Sequence, residues 1–172
     1  MSLREPAARA YHSAAGVDGK LFVWAGLGAG SVQSTTLESF NVSTLTWEQS
    51  QRLNGPLPDD LNNAAVTDNA RMKFFSCGGH TPSGLLNTLY EMNPHTLLCR
   101  ELLPRNPSYA PQKHEGSRSA FFKNKLVIYG GDTSEGRTDD LHVFDLDKGE
   151  YGAIQHLIRD LDTFVHNIHM SA

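Results

Sequence analysis

The chain has 172 residues, 39% of them hydrophobic and 20% charged, with a formal net charge of −4. That is enough apolar chain for one core of ordinary domain size, and it argues against wholesale disorder. Acids and bases are interspersed with no basic stripe and no run of eighteen apolar residues or signal-peptide pattern occurs, so neither nucleic acid nor membrane is expected as a partner, and the chain is expected in the cytoplasm or nucleus.

From the N-terminus, an apolar stretch at 13–17 runs through Asp18-Gly19 into Leu21-Phe22-Val23-Trp24, the pattern of two strands joined by a tight hairpin. The same arrangement returns at 64–67 with Phe74-Phe75-Ser76-Cys77, through a turn at Asp68-Asn69. It returns again at 119–122 with Leu126-Val127-Ile128-Tyr129, through Lys123-Asn124. A third strand in each unit holds Leu37, Leu89 or Leu141. A fourth carries Trp47, Cys99 or Tyr151, again 52 residues apart. Phe40, Met92 and Phe144 keep the same period, as do Asn41, Asn93 and Asp145. Small-residue pairs close the second strands at Ala25-Gly26, Gly78-Gly79 and Gly130-Gly131, each with a lysine six residues before the second glycine. Paired glycines at such ends point to unusual φ or close backbone approach.

Four short strands per repeat, bounded by glycine, define an all-β chain of three four-stranded propeller blades. The repeat units cover residues 6–50, 58–103 and 112–152 within a repeat region 1–152, followed by a tail over 153–172. In the tail Ile154, Leu157, Ile158, Leu161 and Val165 recur at helical spacing and predict an amphipathic helix over 153–169, which could cap the third blade or bind a partner.

The glycine pair after an apolar strand, followed about twenty residues later by an aromatic, resembles the kelch motif, and a period near 50 fits it. Arg9-Ala10-Tyr11-His12-Ser13 resembles the opening of a kelch unit, and Asn41-x-x-Thr44-x-x-Trp47 its closing turn. The departures are Ala25 for a glycine, Asn63 or its neighbour and Ser117 where histidine is usual, and Cys99 and Tyr151 for tryptophan. The resemblance implies a kelch β-propeller of which three blades are present, an incomplete ring whose open ends need a cover. A second copy making six blades, or another chain, would complete it.

Other chemistry is weakly signalled. Gly26-Leu27-Gly28-Ala29-Gly30-Ser31 fails the dinucleotide fingerprint at its last position, with no helix pattern behind it. No nucleophile elbow occurs, and Cys77 and Cys99 are too far apart for a redox or zinc pair, so both are expected as buried thiols. His156, His166 and His169 lie on the tail without a spaced ligand set, and no metal or other cofactor is expected. The aromatics Trp24, Trp47, Tyr129 and Tyr151 are expected as core anchors, with Arg9 and His12 tying a first strand to its neighbour.

Function is therefore expected in the connections that vary between repeats. The resemblance implies a protein-interaction module or scaffold, such as a substrate adaptor of a ubiquitin ligase, and not an enzyme. The rival expectations are a propeller enzyme resembling copper oxidases or sugar epimerases, and a fragment with no function of its own. No BTB, F-box or cullin-binding segment is visible. The family's ligand face maps here onto 28–36, 80–86 and 132–138 with the linkers 51–61 and 103–113, and the expected partner-binding residues are Ser31, Gln33, Ser34, Arg52, His80, Ser83, Tyr109, Asp132 and Arg137.

Overall fold

In a computed structural model the described residues are 5–31, 34, 36–56 and 63–152. The helix expected over 153–169, and Gln33, lie outside them. The first blade comprises β1 (Ser13–Val17), β2 (Lys20–Trp24), β3 (Glu38–Asn41) and β4 (Thr46–Trp47). The second comprises β5 (Ala64–Asp68), β6 (Lys73–Cys77), a small hairpin β7 (His80–Thr81) and β8 (Gly84–Leu85), then β9 (Leu89–Asn93) and β10 (Leu98–Glu101). In the third, β11 (His114–Glu115) precedes β12 (Arg118–Phe122), β13 (Lys125–Thr133), β14 (Gly136–Asp145) and β15 (Glu150–Gly152). Each blade is an antiparallel meander in chain order. The three-blade kelch architecture stands as the repeat period predicts.

The periodic residues acquire physical roles. Phe40 faces Trp47 across its strand pair, Met92 faces Cys99, and Phe144 faces Tyr151. Asn41, Asn93 and Asp145 each accept hydrogen bonds from the backbone N–H groups two and three residues on, closing the turn into the fourth strand. These are Asx turns, the reason a short amide or carboxylate recurs there. The same turn ends on a left-handed residue at Leu45, Leu97 and Gly149, with φ of 55°, 59° and 68°. Two leucines thus occupy a conformation that costs an L side chain about 1–2 kcal/mol.

The turns at Asp18-Gly19 and Lys123-Asn124 have positive φ at both residues, as a two-residue hairpin of the primed type requires. In the second blade the turn is longer than predicted, because β5 continues to Asp68 and β6 begins at Lys73. Asp68, 2% exposed, stabilises it by accepting from the backbone N–H groups of Ala70 and Arg71 and pairing with the Arg71 guanidinium.

Two cores sit between blades. The first packs Phe22, Trp24 and Leu37 of blade 1 against Phe74, Met92 and Cys99 of blade 2, with Trp24 stacked on Phe74 at 5.3 Å between ring centroids. The second packs Phe75, Cys77 and Leu89 of blade 2 against Leu126, Phe144 and Tyr151 of blade 3. Blade 2 is therefore apolar on both faces. Each such fully buried side chain stabilises by about 1.5–3 kcal/mol. Cys77 and Cys99 are buried and form no disulfide, as expected. Two anchors differ from expectation: Trp47 is half-buried and Tyr129 is 54% exposed, because the blade faces that carry them are the two not used by an internal join.

Candidate protein-interaction face

In a four-stranded meander the turns between first and second strands and between third and fourth lie at one end of the blade. The second-to-third connections and the linkers between blades lie at the other, here the loop end. All the described candidate residues belong to this end. Ser31 ends a short 3-10 turn, Ala29–Ser31, and Arg52 is exposed on the first linker. Tyr109, 64% exposed, ends a second 3-10 turn, Pro107–Tyr109, on the other linker.

The segments expected as loops at 80–86 and 132–138 are largely hairpins. His80 pairs with Leu85 and Thr81 with Gly84, while Asp132 pairs with Arg137 and Thr133 with Gly136. A shared Thr-x-x-Gly turn makes both. The Thr81 hydroxyl donates to the Gly84 carbonyl and accepts from Ser83 N–H, and Thr133 does the same with Gly136 and Glu135. The glycines take φ of 120° and 117°, open to glycine and strained for other residues. Thr81 and Thr133 are 52 residues apart, so this register was present in the sequence. It escapes a reading guided by apolar residues because the motif is polar.

β11 ties the two hairpins together. His114 N–H donates to the Leu86 carbonyl, Gly79 N–H donates to the His114 carbonyl, and Leu86 N–H donates to the Gly79 carbonyl. On its other side β11 pairs with β13, His114 against Thr133 and Glu115 against Asp132. A hydrogen-bonded ribbon thus crosses from blade 2 to blade 3 at the loop end, bringing His80, Ser83, Asp132 and Arg137 onto one supported surface. The His114 ring, 2% exposed, lies so close to Gly78 that a Cβ there would sit 2.6 Å from Nε2. Its Nδ1 is 2.7 Å from the Gln112 carbonyl oxygen. Gly131 meets β11 equally closely, 2.7 Å from an added Cβ to the Glu115 carbonyl oxygen. The glycine pairs are what let the ribbon approach.

The side chains on the ribbon are free to meet a partner in different degrees. Arg137 and Asp132 form an ion pair at 3.3 Å, but their side chains are 92% and 57% exposed, so solvent screens it and it adds little stability. Tyr109 projects its ring while its backbone hydrogen-bonds the half-buried His142 imidazole. Burial lowers the His142 pKa, Asp140 opposes that shift, and His114 adds to it.

Ser34 belongs to a different environment. Arg9 donates to the Ser34 hydroxyl at 2.6 Å, to the Ala25 carbonyl and to Glu38, so among the described residues these bonds tie Arg9 to its own blade. Glu38 also accepts from Thr36 and Ser50. Burial alone would raise its carboxyl pKa, yet the Ser50 and Thr36 hydroxyls and the Arg9 guanidinium together hold it below the ordinary value. The network lines a cleft of about 600 Å³ beside residues 5–9. Its hydroxyls are engaged by one another and by the carboxylate, which makes it a blade-stabilising cluster. Among the described residues no group of three or more His, Cys, Asp or Glu side chains is arranged to hold a metal. No helix among them is long and apolar enough to cross a membrane.

Antiparallel four-stranded blades joined through glycine-pair strand ends define a kelch propeller segment. The chain belongs to the kelch-repeat family: residues 1–159 match the KLHDC2/KLHL20/DRC7 Kelch-repeats domain. The family's domains serve as protein-interaction modules. The chain is also similar to the leucine-zipper-like transcriptional regulator 1 homolog of Drosophila melanogaster, 26% identical over 158 residues, covering 88% of this chain and 16% of that protein. The chain therefore spans about a sixth of the length of that relative.

Proposed function

We propose that this chain is a binding module that holds a protein partner at the loop end of blades 2 and 3 and acts as an adaptor, without catalysing a reaction on it. The observation that carries this reading is the ribbon of the two Thr-x-x-Gly hairpins and β11, a rigid platform that presents exposed side chains of varied chemistry. Rigid backbone under exposed Tyr and Arg lowers the entropy lost on binding, and these residue types are enriched at binding hot spots. Tyr109 and Arg137 are the residues on which affinity should depend most, with His80, Ser83 and Asp132 completing the contact. Further kelch blades, from a second copy or another chain, cover the two end faces.

Affinity capture from a cell lysate tests the face. Tyr109→Ala and Arg137→Ala should each lower recovery of the captured protein about tenfold or more. Val42→Ala, at an exposed turn on the opposite end, should leave recovery unchanged. Undiminished recovery with both loop-end variants would remove this face from the account.

A further inference from the structure

The two internal joins use equivalent positions. On the face that each blade turns toward the preceding one stand Leu21, Phe74 and Leu126, with the cross-strand pairs Phe40–Trp47, Met92–Cys99 and Phe144–Tyr151 beside them. Where a blade precedes, this face is sealed: Phe74 is 0% and Leu126 1% exposed. Leu21, in blade 1, is 37% exposed. On the opposite face stand Trp24, Cys77 and Tyr129. Trp24 and Cys77 are 2% and 1% exposed against a following blade, and Tyr129 is 54% exposed.

We propose that a second copy of the chain covers both faces, its first blade seated on blade 3 and its third blade on blade 1, closing a two-fold ring of six blades. This deepens the reading of the chain as a propeller module and rests on it. Three observations favour a second copy. The missing join continues an interface the chain already makes twice, because the Trp24 contact with Phe74, repeated as Cys77 with Leu126, has as its third instance Tyr129 with Leu21 of the partner copy. One kind of partner then covers both open faces at once. Finally, propeller rings run from about four to eight blades, and two copies with three blades each fall within that range. A head-to-tail contact of this kind forms a closed ring when the rotation closes and an open filament when it does not.

Sedimentation and light scattering of the full chain at micromolar concentration test the ring. The expected mass is twice 18.9 kDa. Leu21→Asp and Tyr129→Asp each place a charge in both joins and should give the single-chain mass with an unchanged circular dichroism spectrum. Leu21→Gln and Tyr129→Gln serve as milder versions, weakening the dimer about tenfold. Mixing the two Asp variants is the diagnostic step. One join of the mixed pair then carries both charges while the other is wholly wild type, so a dimer should return on mixing. A single-chain mass for the wild type, a ladder of larger species, or variants that leave the mass unchanged would each overturn the proposal. So would a monomer that dimerises only after removal of residues 153–172, which would make that segment the occupant. No protein partner is present in these measurements, so a monomer that still loses its captured protein on Arg137→Ala would sink the ring and leave the binding face standing.

Discussion

Adjacent glycines at the end of β13 offer a sharp test of why the repeat needs its glycine pair. Gly130 and Gly131 have φ of 64° and 116°. An alanine at Gly130 must hold a left-handed backbone that L residues disfavour by about 1–2 kcal/mol, offset by about 0.4–1 kcal/mol from the reduced freedom of the unfolded chain, while the φ at Gly131 lies beyond that left-handed region and is harder still for an L residue. At Gly130 the added Cβ meets only the Thr138 carbonyl oxygen, at 3.2 Å, which a small shift relieves. At Gly131 it lies 2.7 Å from the Glu115 carbonyl oxygen and 3.2 Å from Ser117 N, both backbone atoms of the segment that carries β11. Overpacking of that kind adds about 1–3 kcal/mol. Gly130→Ala should therefore cost about 1 kcal/mol and Gly131→Ala about 3 kcal/mol. For a chain of this size the melting temperature should fall by about 3 °C and 10 °C respectively, read by circular dichroism with urea titration as a second measure. In blade 1 the first position is already Ala25, buried at a φ of 56°, so a methyl group is tolerated there. Equal losses at Gly130 and Gly131 would refute the argument that the second position, with its wider φ and its close approach to the segment that carries β11, is the one that requires glycine.

Other outcomes follow from the same geometry. Asn106 donates to the Tyr151 carbonyl and accepts from its N–H, at 2.7 and 2.8 Å, clamping the second linker to β15. Asn106→Ala should lower unfolding free energy by about 1–3 kcal/mol in a urea titration. Leu45, 70% exposed at a φ of 55°, should gain about 0.5 kcal/mol on replacement by glycine, read as a higher melting temperature. Glu38 and Glu91 have folded pKa values below the ordinary 4.5. The stability they contribute is present above pH 4.5 and is lost as pH falls through their lower folded values, so Glu38→Gln should flatten the acid limb of a stability profile. His142 is a base whose pKa is lowered from 6.5, so the folded state favours its neutral form. Its contribution holds above pH 6.5 and falls away below that value, and His142→Gln should remove that part of the profile.

The repeat made the architecture legible because each periodic side chain has a local task. Asn41, Asn93 and Asp145 close one turn, while Leu37 and Leu89 pack into the joins with the following blade. Less of the candidate site could be read. Its end of the blades followed from the connections that vary between repeats, but the ribbon depends on β11 reaching both Leu86 and Thr133, and no local pattern encodes such distant hydrogen bonds. Ser34 illustrates the limit from the other side. A serine in a glycine-rich connection reads as available, yet its hydroxyl is engaged by Arg9, 25 residues away in sequence. The departures from the family pattern also acquire reasons. The Ser13 hydroxyl reaches Asn63 across the first join, whereas Ala64 holds the place of Ser13 at the second and the Ser117 hydroxyl has no hydrogen-bond partner among the described residues.

Backbone amide exchange of the chain, alone and with its captured protein, tests the central claim most directly. Slower exchange at 80–86, 107–113 and 131–138, with no change at the opposite-end turns 42–45, 94–97 and 146–149, is the predicted result. Protection confined to those turns, with the hairpins unaffected, would contradict it.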